Sequence, residues 1–219
     1  MSLILYGHPF SSYCQKVLIP LYENGIEFEF RHLSPDQPRN AAEHARLWPL
    51  KRMPLLTDGE RVVVESSLIV EYLDIRFPGP VKFIPSDPEA ALQVRFLDRF
   101  FDQYVMSPMQ KVVFDALRAP DIRDPHGVDE ARGLLDSAYR WIDGELRGRE
   151  WAASSGFGLA ECAAAPALFY ADWVHPIPGS CGDLRAYRRR LLERPSFARA
   201  VDEARPFRAF FPLGAPDRD

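Results

Sequence analysis

Trp48-Pro49-Leu50-Lys51-Arg52-Met53-Pro54-Leu55-Leu56-Thr57-Asp58-Gly59-Glu60-Arg61-Val62-Val63-Val64-Glu65-Ser66-Ser67-Leu68-Ile69-Val70-Glu71-Tyr72-Leu73 holds a polar loop, two short apolar runs and a helix-like run in direct succession. The runs Leu55-Leu56-Thr57 and Val62-Val63-Val64 flank Asp58-Gly59, the residue pair that best supplies the positive φ of a two-residue hairpin turn. Ser66 then opens a helix with Leu68, Ile69, Tyr72 and Leu73 on one face, ending near Phe77-Pro78-Gly79.

Towards the N-terminus, Leu3-Ile4-Leu5-Tyr6 reads as a strand, and the turn Gly7-His8-Pro9-Phe10-Ser11-Ser12 leads into a helix over 13–23. Val17, Leu18 and Leu21 give that helix its apolar face, and Asn24-Gly25 stops it. A strand over 27–32 and a short irregular helix over 37–47 follow. The first third is therefore strand, helix, strand, helix, strand, strand, helix, an α+β unit spanning 1–78.

Towards the C-terminus, the proline-rich stretch 79–88 reads as a semi-rigid linker, and no convincing strand follows it. Leu92, Phe96, Phe100 and Tyr104 recur at four-residue spacing in a long amphipathic helix over 89–117, where we expect them to form helix-bundle core. Further helices are predicted over 127–146, 159–174, 183–193 and 196–204, so 89–219 is an all-α helical-bundle domain.

Composition bounds the function. The chain has 219 residues, 47% hydrophobic and 12% aromatic, enough to bury one large core or two modest ones. Its 27 basic and 31 acidic residues are mixed along the chain, leaving a net charge of -4 and no footprint for nucleic acid. The run Arg188-Arg189-Arg190 is expected to be a solvated helix face. Without an apolar run long enough to span a membrane or a leader pattern, a cytoplasmic protein is expected, with no membrane partner. Cys14, Cys162 and Cys181 are too few and too scattered for a disulfide framework, and they do not cluster with the five histidines, so no metal is implied.

In order and spacing, Met53-Pro54 and Glu65-Ser66, with the segments around them, resemble the glutathione-site signature of the cytosolic glutathione transferases, whose N-terminal domain is thioredoxin-like. Phe157-Gly158-Leu159-Ala160-Glu161, Glu193-Arg194-Pro195-Ser196-Phe197 and Glu203-Ala204-Arg205-Pro206 extend the likeness, towards bacterial members. The resemblance implies glutathione as co-substrate, no metal, a detoxifying transferase activity on a small hydrophobic or unsaturated electrophile, and a symmetric homodimer with Asp98 or Asp102 reaching the partner's glutathione. It also implies a cis Met53-Pro54 bond whose main chain pairs with glutathione's cysteine as a short strand.

The residues suit that ligand. Ser66, where a strand turns into a helix, can receive the γ-glutamyl carboxylate with its hydroxyl and the free N–H groups. Glu65 can pair with the ammonium, and Lys51 and Arg52 can reach the glycine carboxylate. Activation of the thiol from a pKa of about 8.5 by two units needs about 2.7 kcal/mol of preference for the anion. One hydroxyl donor to a charged acceptor supplies about 1.5–3 kcal/mol and a helix N-terminus about 0.3–1. Ser11 stands where serine- and cysteine-type members carry the catalytic residue and is the first choice of donor, with Ser12 in reserve. Tyr6 invites comparison with tyrosine-type members. Cys14 holds the second position of a C-x-x-C whose first is Ser11, which leaves a glutathione-dependent reductase short of its attacking thiol.

Ser11-Ser12 with Lys16-Val17 and Pro49-Leu50-Lys51 resembles the zeta class, whose reaction is the isomerisation of maleylacetoacetate. The chain departs from that class in having Tyr13 in place of cysteine and Glu65 in place of glutamine. It also has Gly158 where the family usually caps a core helix with serine or threonine, and Glu161 where aspartate is usual. A non-catalytic interaction protein resembling the stringent starvation proteins is the third reading.

Overall fold

The computed structural model describes residues 3–154 and 156–219. Strands β1 (Leu3–Gly7), β2 (Glu29–His32), β3 (Leu55–Asp58) and β4 (Arg61–Val64) form one mixed sheet in the order β2-β1-β3-β4. β1 runs parallel to β2, with Leu5 opposite Phe30, and antiparallel to β3, with Leu5 opposite Leu56. β3 and β4 form the predicted hairpin, but its turn is Gly59-Glu60, one position on from the expected Asp58-Gly59, because Asp58 pairs with Arg61; Gly59 supplies a φ of 59°. The two central strands bury Leu3, Leu5, Leu55 and Leu56, while β2 and β4 are the half-exposed edges.

Helices α1 (Ser12–Glu23), α2 (Pro38–Leu47) and α3 (Ser66–Arg76) complete the α+β unit. Val17, Leu18, Ile19 and Leu21 of α1 are all fully buried, because this helix packs against α3 and also against α7 (Leu159–Val174) and α9 (Pro195–Ala204). The remaining helices are α4 (Pro88–Phe100), α5 (Ser107–Ala116), α6 (Pro125–Glu145) and α8 (Gly182–Glu193). Between α4 and α5 the backbone widens into a π-helical segment, Phe101–Met106, in which Ser107 N donates to Asp102 O. The wide turn precedes Pro108, which has no N–H with which to continue the α pattern.

α7 is apolar on every side and buried almost throughout, which makes it the axis of the helical half. Its N-cap is Gly158, where an added Cβ would lie 2.8 Å from the carbonyl oxygen of Phe83. That close approach explains the missing serine or threonine, because Phe83 O accepts from Leu159 N at 3.1 Å and leaves no room for a side chain. Glu161 takes over the capping, accepting from Gly158 N at 2.9 Å and Ala152 N at 3.0 Å. The proline-rich linker is pinned rather than merely stiff: Phe83 is fully buried, its N–H donates to Asp74 Oδ1 at 2.7 Å, and Asn24 brackets Val81 with two bonds of 3.0 Å.

Three expectations are corrected. Leu92, Phe96 and Tyr104 are 63%, 50% and 45% exposed, and of that stripe only Phe100 is core. The stripe lies beside the buried side of the helix, with Phe100 alone turned inward, while Ala91, Val94, Leu97, Phe101 and Val105 fill the core. Leu68 of α3 likewise faces outward, at 52% exposure, while Ile69, Val70 and Leu73 are buried. Arg188 is not solvated: it is buried, with Nη2 3.4 Å from Asp172 and its guanidinium over the Phe169 ring.

Candidate functional site

Ser11 and Ser12 stand where the chain passes from β1 into α1. Ser11 is the N-cap, with φ −82° and ψ 122°, and its Oγ accepts from Cys14 N at a long 3.4 Å. The hydroxyl hydrogen is not used in that bond and can donate. Ser12 is the first helical residue and is buried. The turn before them is held tightly. Ser11 N donates to His8 O at 2.9 Å, and Phe10 N donates to His8 Nδ1 at 3.1 Å. Burial and the nearby His32 hold the His8 pKa below its ordinary value, which keeps the ring neutral and able to accept.

A cavity of about 760 Å³ opens beside this turn, within the size range of small-molecule sites. Its wall includes Ser11, Ser12, Lys51, Arg52, Met53, Pro54, Glu65 and Ser66. The Met53-Pro54 bond is cis. His44, buried on α2, donates Nε2–H to Arg52 O at 3.0 Å and so fixes the loop that carries Arg52 and Met53. Glu65 is the N-cap of α3 and has φ 69°, while Lys51 has φ 52°. These are the non-glycine residues with positive φ among the described residues, and both line this cavity. Such backbone costs about 1–3 kcal/mol and concentrates at functional sites. No sequence rule predicts it for lysine or glutamate.

Behind Ser66 lies a buried ionic cluster that the sequence reading missed. Lys16 has no exposed surface, and its Nζ lies 2.6 Å from Asp98 Oδ1, 2.7 Å from Asp102 Oδ2 and 3.0 Å from Ser67 Oγ. Asp102 lines the chain's own cavity, and its Oδ1 is buried with no partner. Burial pushes the Asp102 pKa up and the Asp98 carboxylate adds to this, against the pull of Lys16. Asp98, drawn inward by Lys16, is buried and presents nothing to a neighbouring chain. Tyr13 lines the same region, its pKa raised to about 12 by burial and by Asp102.

The other half of the cavity is apolar. Met109, Gln110, Val113 and Phe114 of α5, with Leu117, face Phe10, Tyr170 and the run Phe210-Phe211-Pro212. Of these, Phe10 and Met109 were expected from the sequence, which offers 7–10 and the helix around 101–109 as the wall for a second substrate, whereas Gln110, Val113, Phe114 and Leu117 lie beyond it. Tyr170 and the C-terminal aromatics were not, because they are distant in sequence and show no motif. Two alternative thiol donors are absent from the cavity wall. Tyr6 is buried, with its hydroxyl 2.7 Å from the Arg31 guanidinium, and burial and Glu43 hold its pKa up at about 12. Cys14 is fully buried, with a pKa pushed up by burial to about 11, and a Cβ at Gly7 would come within 2.6 Å of its Sγ. Among the described residues no metal-binding cluster is present, and no helix is long and apolar enough to cross a membrane.

Known proteins resemble this chain in sequence and in fold. Residues 5–81 match the glutathione S-transferase N-terminal domain, and residues 125–193 match the glutathione S-transferase C-terminal domain. A stringent starvation protein A homolog of Coxiella burnetii is 26% identical over 204 residues, covering 92% of each chain. A probable maleylacetoacetate isomerase of Vibrio cholerae is 28% identical over 213 residues, covering 94% of this chain and 98% of its own. The crystal structure of a Methylobacterium radiotolerans glutathione S-transferase in complex with glutathione sulfonate superposes with a TM-score of 0.78. It is 27% identical and covers 92% of this chain and 95% of its own. A four-stranded mixed sheet with its helices, a helical half built around α7, and both domain matches in the right order lead to one assignment: the chain belongs to the glutathione transferase family.

Proposed function

We propose that this protein is a glutathione transferase that activates the thiol of glutathione with Ser11 and transfers it to an uncharged apolar electrophile. One observation carries the reading. A single cavity joins a polar wall of opposite charges and helix N-termini to an apolar aromatic wall, with Ser11 and Ser12 lining the same space. Glutathione, a peptide with an ammonium, two carboxylates and a thiol, suits the first wall, and a thiol acceptor without charge suits the second.

In this reading the N-terminus of α3 and the Ser66 hydroxyl receive the γ-glutamyl carboxylate, and Glu65 takes the ammonium. The Met53 main chain pairs with the cysteinyl amide, and Lys51 and Arg52 serve the glycine carboxylate. The Ser11 hydroxyl donates to the thiolate, with Ser12 beside it, at the N-terminal end of the α1 dipole. The thiolate then attacks the electrophile against the aromatic wall. The proton lost from the thiol goes to solvent through the open cavity.

The second reading is maleylacetoacetate isomerisation, favoured by the Vibrio cholerae relative. Against it, Gln110 is the one polar side chain that α5 gives the apolar wall, although Arg99 also lines the cavity and leaves it a cation besides Lys51 and Arg52. We further infer a symmetric cytoplasmic homodimer, in which exposed Leu92, Phe96, Tyr104, Leu134 and Trp141 on α4, α6 and the segment between α4 and α5 become covered.

Titration of the protein with millimolar glutathione, read by thiolate ultraviolet absorbance, tests the assignment. Binding with a lowered thiol pKa is expected, followed by turnover of aryl halides in preference to maleyl-type acids. Failure to bind would remove both enzymatic readings and leave an interaction protein like the stringent starvation homologues.

A further inference from the structure

The turn that presents Ser11 has three consecutive carbonyls, and each is satisfied from a different place. His8 O accepts locally from Ser11 N at 2.9 Å. Pro9 O accepts from Gln15 Nε2, a fully buried side chain of α1, at 3.1 Å. Phe10 O accepts from the Tyr170 hydroxyl at 3.1 Å, and Tyr170 belongs to α7, the axis of the helical half. Gln15 Nε2 also donates to the Tyr170 oxygen at 3.1 Å, which closes the circuit. The Tyr170 ring meets Phe10 edge-on, at 5.4 Å between centroids and 84° between planes, so the hydroxyl is held in place by packing.

This circuit is buried and costly to interrupt. Both Gln15 Nε2 hydrogens are used, while its Oε1 is buried without a partner, a cost the site accepts to hold the amide in this orientation. A leucine or methionine at position 15 would fill the same space without leaving an unpaired oxygen. The polar choice is accounted for by the carbonyls that it and Tyr170 hold.

We propose that Tyr170 and Gln15 are positioning residues for thiol activation. They lock the Pro9 and Phe10 carbonyls, and through them fix the direction in which the Ser11 hydroxyl points. This rests on the reading of Ser11 as the thiolate donor. It makes the activation geometry depend on how the helical half docks on the sheet-bearing half, since Tyr170 reaches the turn from the far side of that contact. No covalent step is added. The donor would be correctly aimed only while Tyr170 is in place.

The test is a double-mutant cycle read by the pKa of bound glutathione and by kcat. Wild type and Ser11→Ala come first: a wild-type protein that leaves the bound thiol at its free pKa, or a Ser11→Ala variant that titrates like wild type, overturns the Ser11 reading and this inference with it. Tyr170→Phe keeps the ring and its packing and removes only the hydroxyl. It is expected to raise the bound thiol pKa by about one unit and lower kcat about tenfold, one hydrogen bond's worth. KM for glutathione should change less than about twofold, because Tyr170 lies in the electrophile's wall and no group assigned to glutathione is lost. Gln15→Met should shift the thiol pKa in the same direction. Adding Tyr170→Phe to Ser11→Ala should change the thiol pKa no further. Titration of Tyr170→Phe like wild type, or a full additional shift in the double variant, would show that Tyr170 does not act through Ser11 and would overturn the inference.

Discussion

Lys16 Nζ lies 2.7 Å from Asp102 Oδ2, a lysine with no exposed surface holding a carboxylate that lines the candidate glutathione cavity. The same ammonium meets Asp98 at 2.6 Å, so one buried cation stands between a buried carboxylate and one that opens onto the cavity. Breaking such a cluster from the cation side leaves charges in a poorly solvated place. Lys16→Met should therefore destabilise the fold by about 3–5 kcal/mol. Urea denaturation checks this, and Lys16→Met combined with Asp98→Asn should recover part of the loss. A loss below about 1 kcal/mol for the single variant would mean that the cluster is solvated in a way the distances do not suggest.

Ser11 has two roles that can be separated by measurement. As N-cap of α1 its removal should cost about 1 kcal/mol of stability, at the low end given the 3.4 Å bond to Cys14 N. As thiolate donor its removal should raise the bound thiol pKa and lower kcat about ten- to a hundredfold. Ser11→Gly keeps most of the capping and loses the hydroxyl, so it should reproduce the kinetic loss without the stability loss. Cys14→Ala should leave turnover and the bound thiol pKa unchanged. Its buried thiol, with a pKa of about 11, should also resist alkylation at neutral pH in the folded protein. Rapid alkylation of Cys14, or turnover lost with Cys14→Ala and kept with Ser11→Ala, would move the chemistry to a reductase.

These residues also show where sequence reading ends. The α+β order, the β3-β4 hairpin and the cavity position of Ser11, Met53, Pro54, Glu65 and Ser66 follow from local signals: turn residues, caps and a signature with fixed spacing. Lys16 carries no such signal. On an apolar face a lysine looks like a snorkelling surface residue, and only the arrival of Asp98 and Asp102 from a helix more than eighty positions away makes burial tolerable. Tyr170, Phe210 and Phe211 reach the cavity for the same nonlocal reason. The stripe of Leu92, Phe96 and Tyr104 misled because four-residue spacing marks one side of a helix without saying whether that side faces the core.

That exposed stripe yields a prediction of its own. Phe96 meets Trp141 edge-on at 5.8 Å, and Trp141 packs on Phe100 at 4.5 Å, forming an apolar patch across α4 and α6. If a second copy covers it, Phe96→Glu should convert a dimer into a monomer in sedimentation experiments without changing the helical content. A wild-type protein that sediments as a monomer at all concentrations would remove the dimer.

Glu161 gives the fold a pH dependence with a definite sign. Its carboxylate is buried and accepts from Gly158 N and Ala152 N, with the Tyr187 hydroxyl at 3.2 Å. Burial outweighs these bonds and lifts its pKa from 4.5 to about 7. The native state then holds a proton that the unfolded chain has released. The stabilisation is fully present below pH 4.5 and is lost as pH rises through about 7. Tyr187 and Cys162, the neighbours coupled to it, are pushed well above their ordinary values by burial and stay neutral throughout that window. The slope from this one group is at most about 1.4 kcal/mol per pH unit. Glu161→Gln cannot titrate, and its amide turns a donor towards one of the backbone N–H groups that the second oxygen served. It should be less stable than wild type at every pH and lose this component of the slope between pH 5 and 7. Denaturation midpoints across that range decide the matter: equal slopes in the two proteins would show that Glu161 is already ionised in the folded state, its hydrogen bonds outweighing its burial.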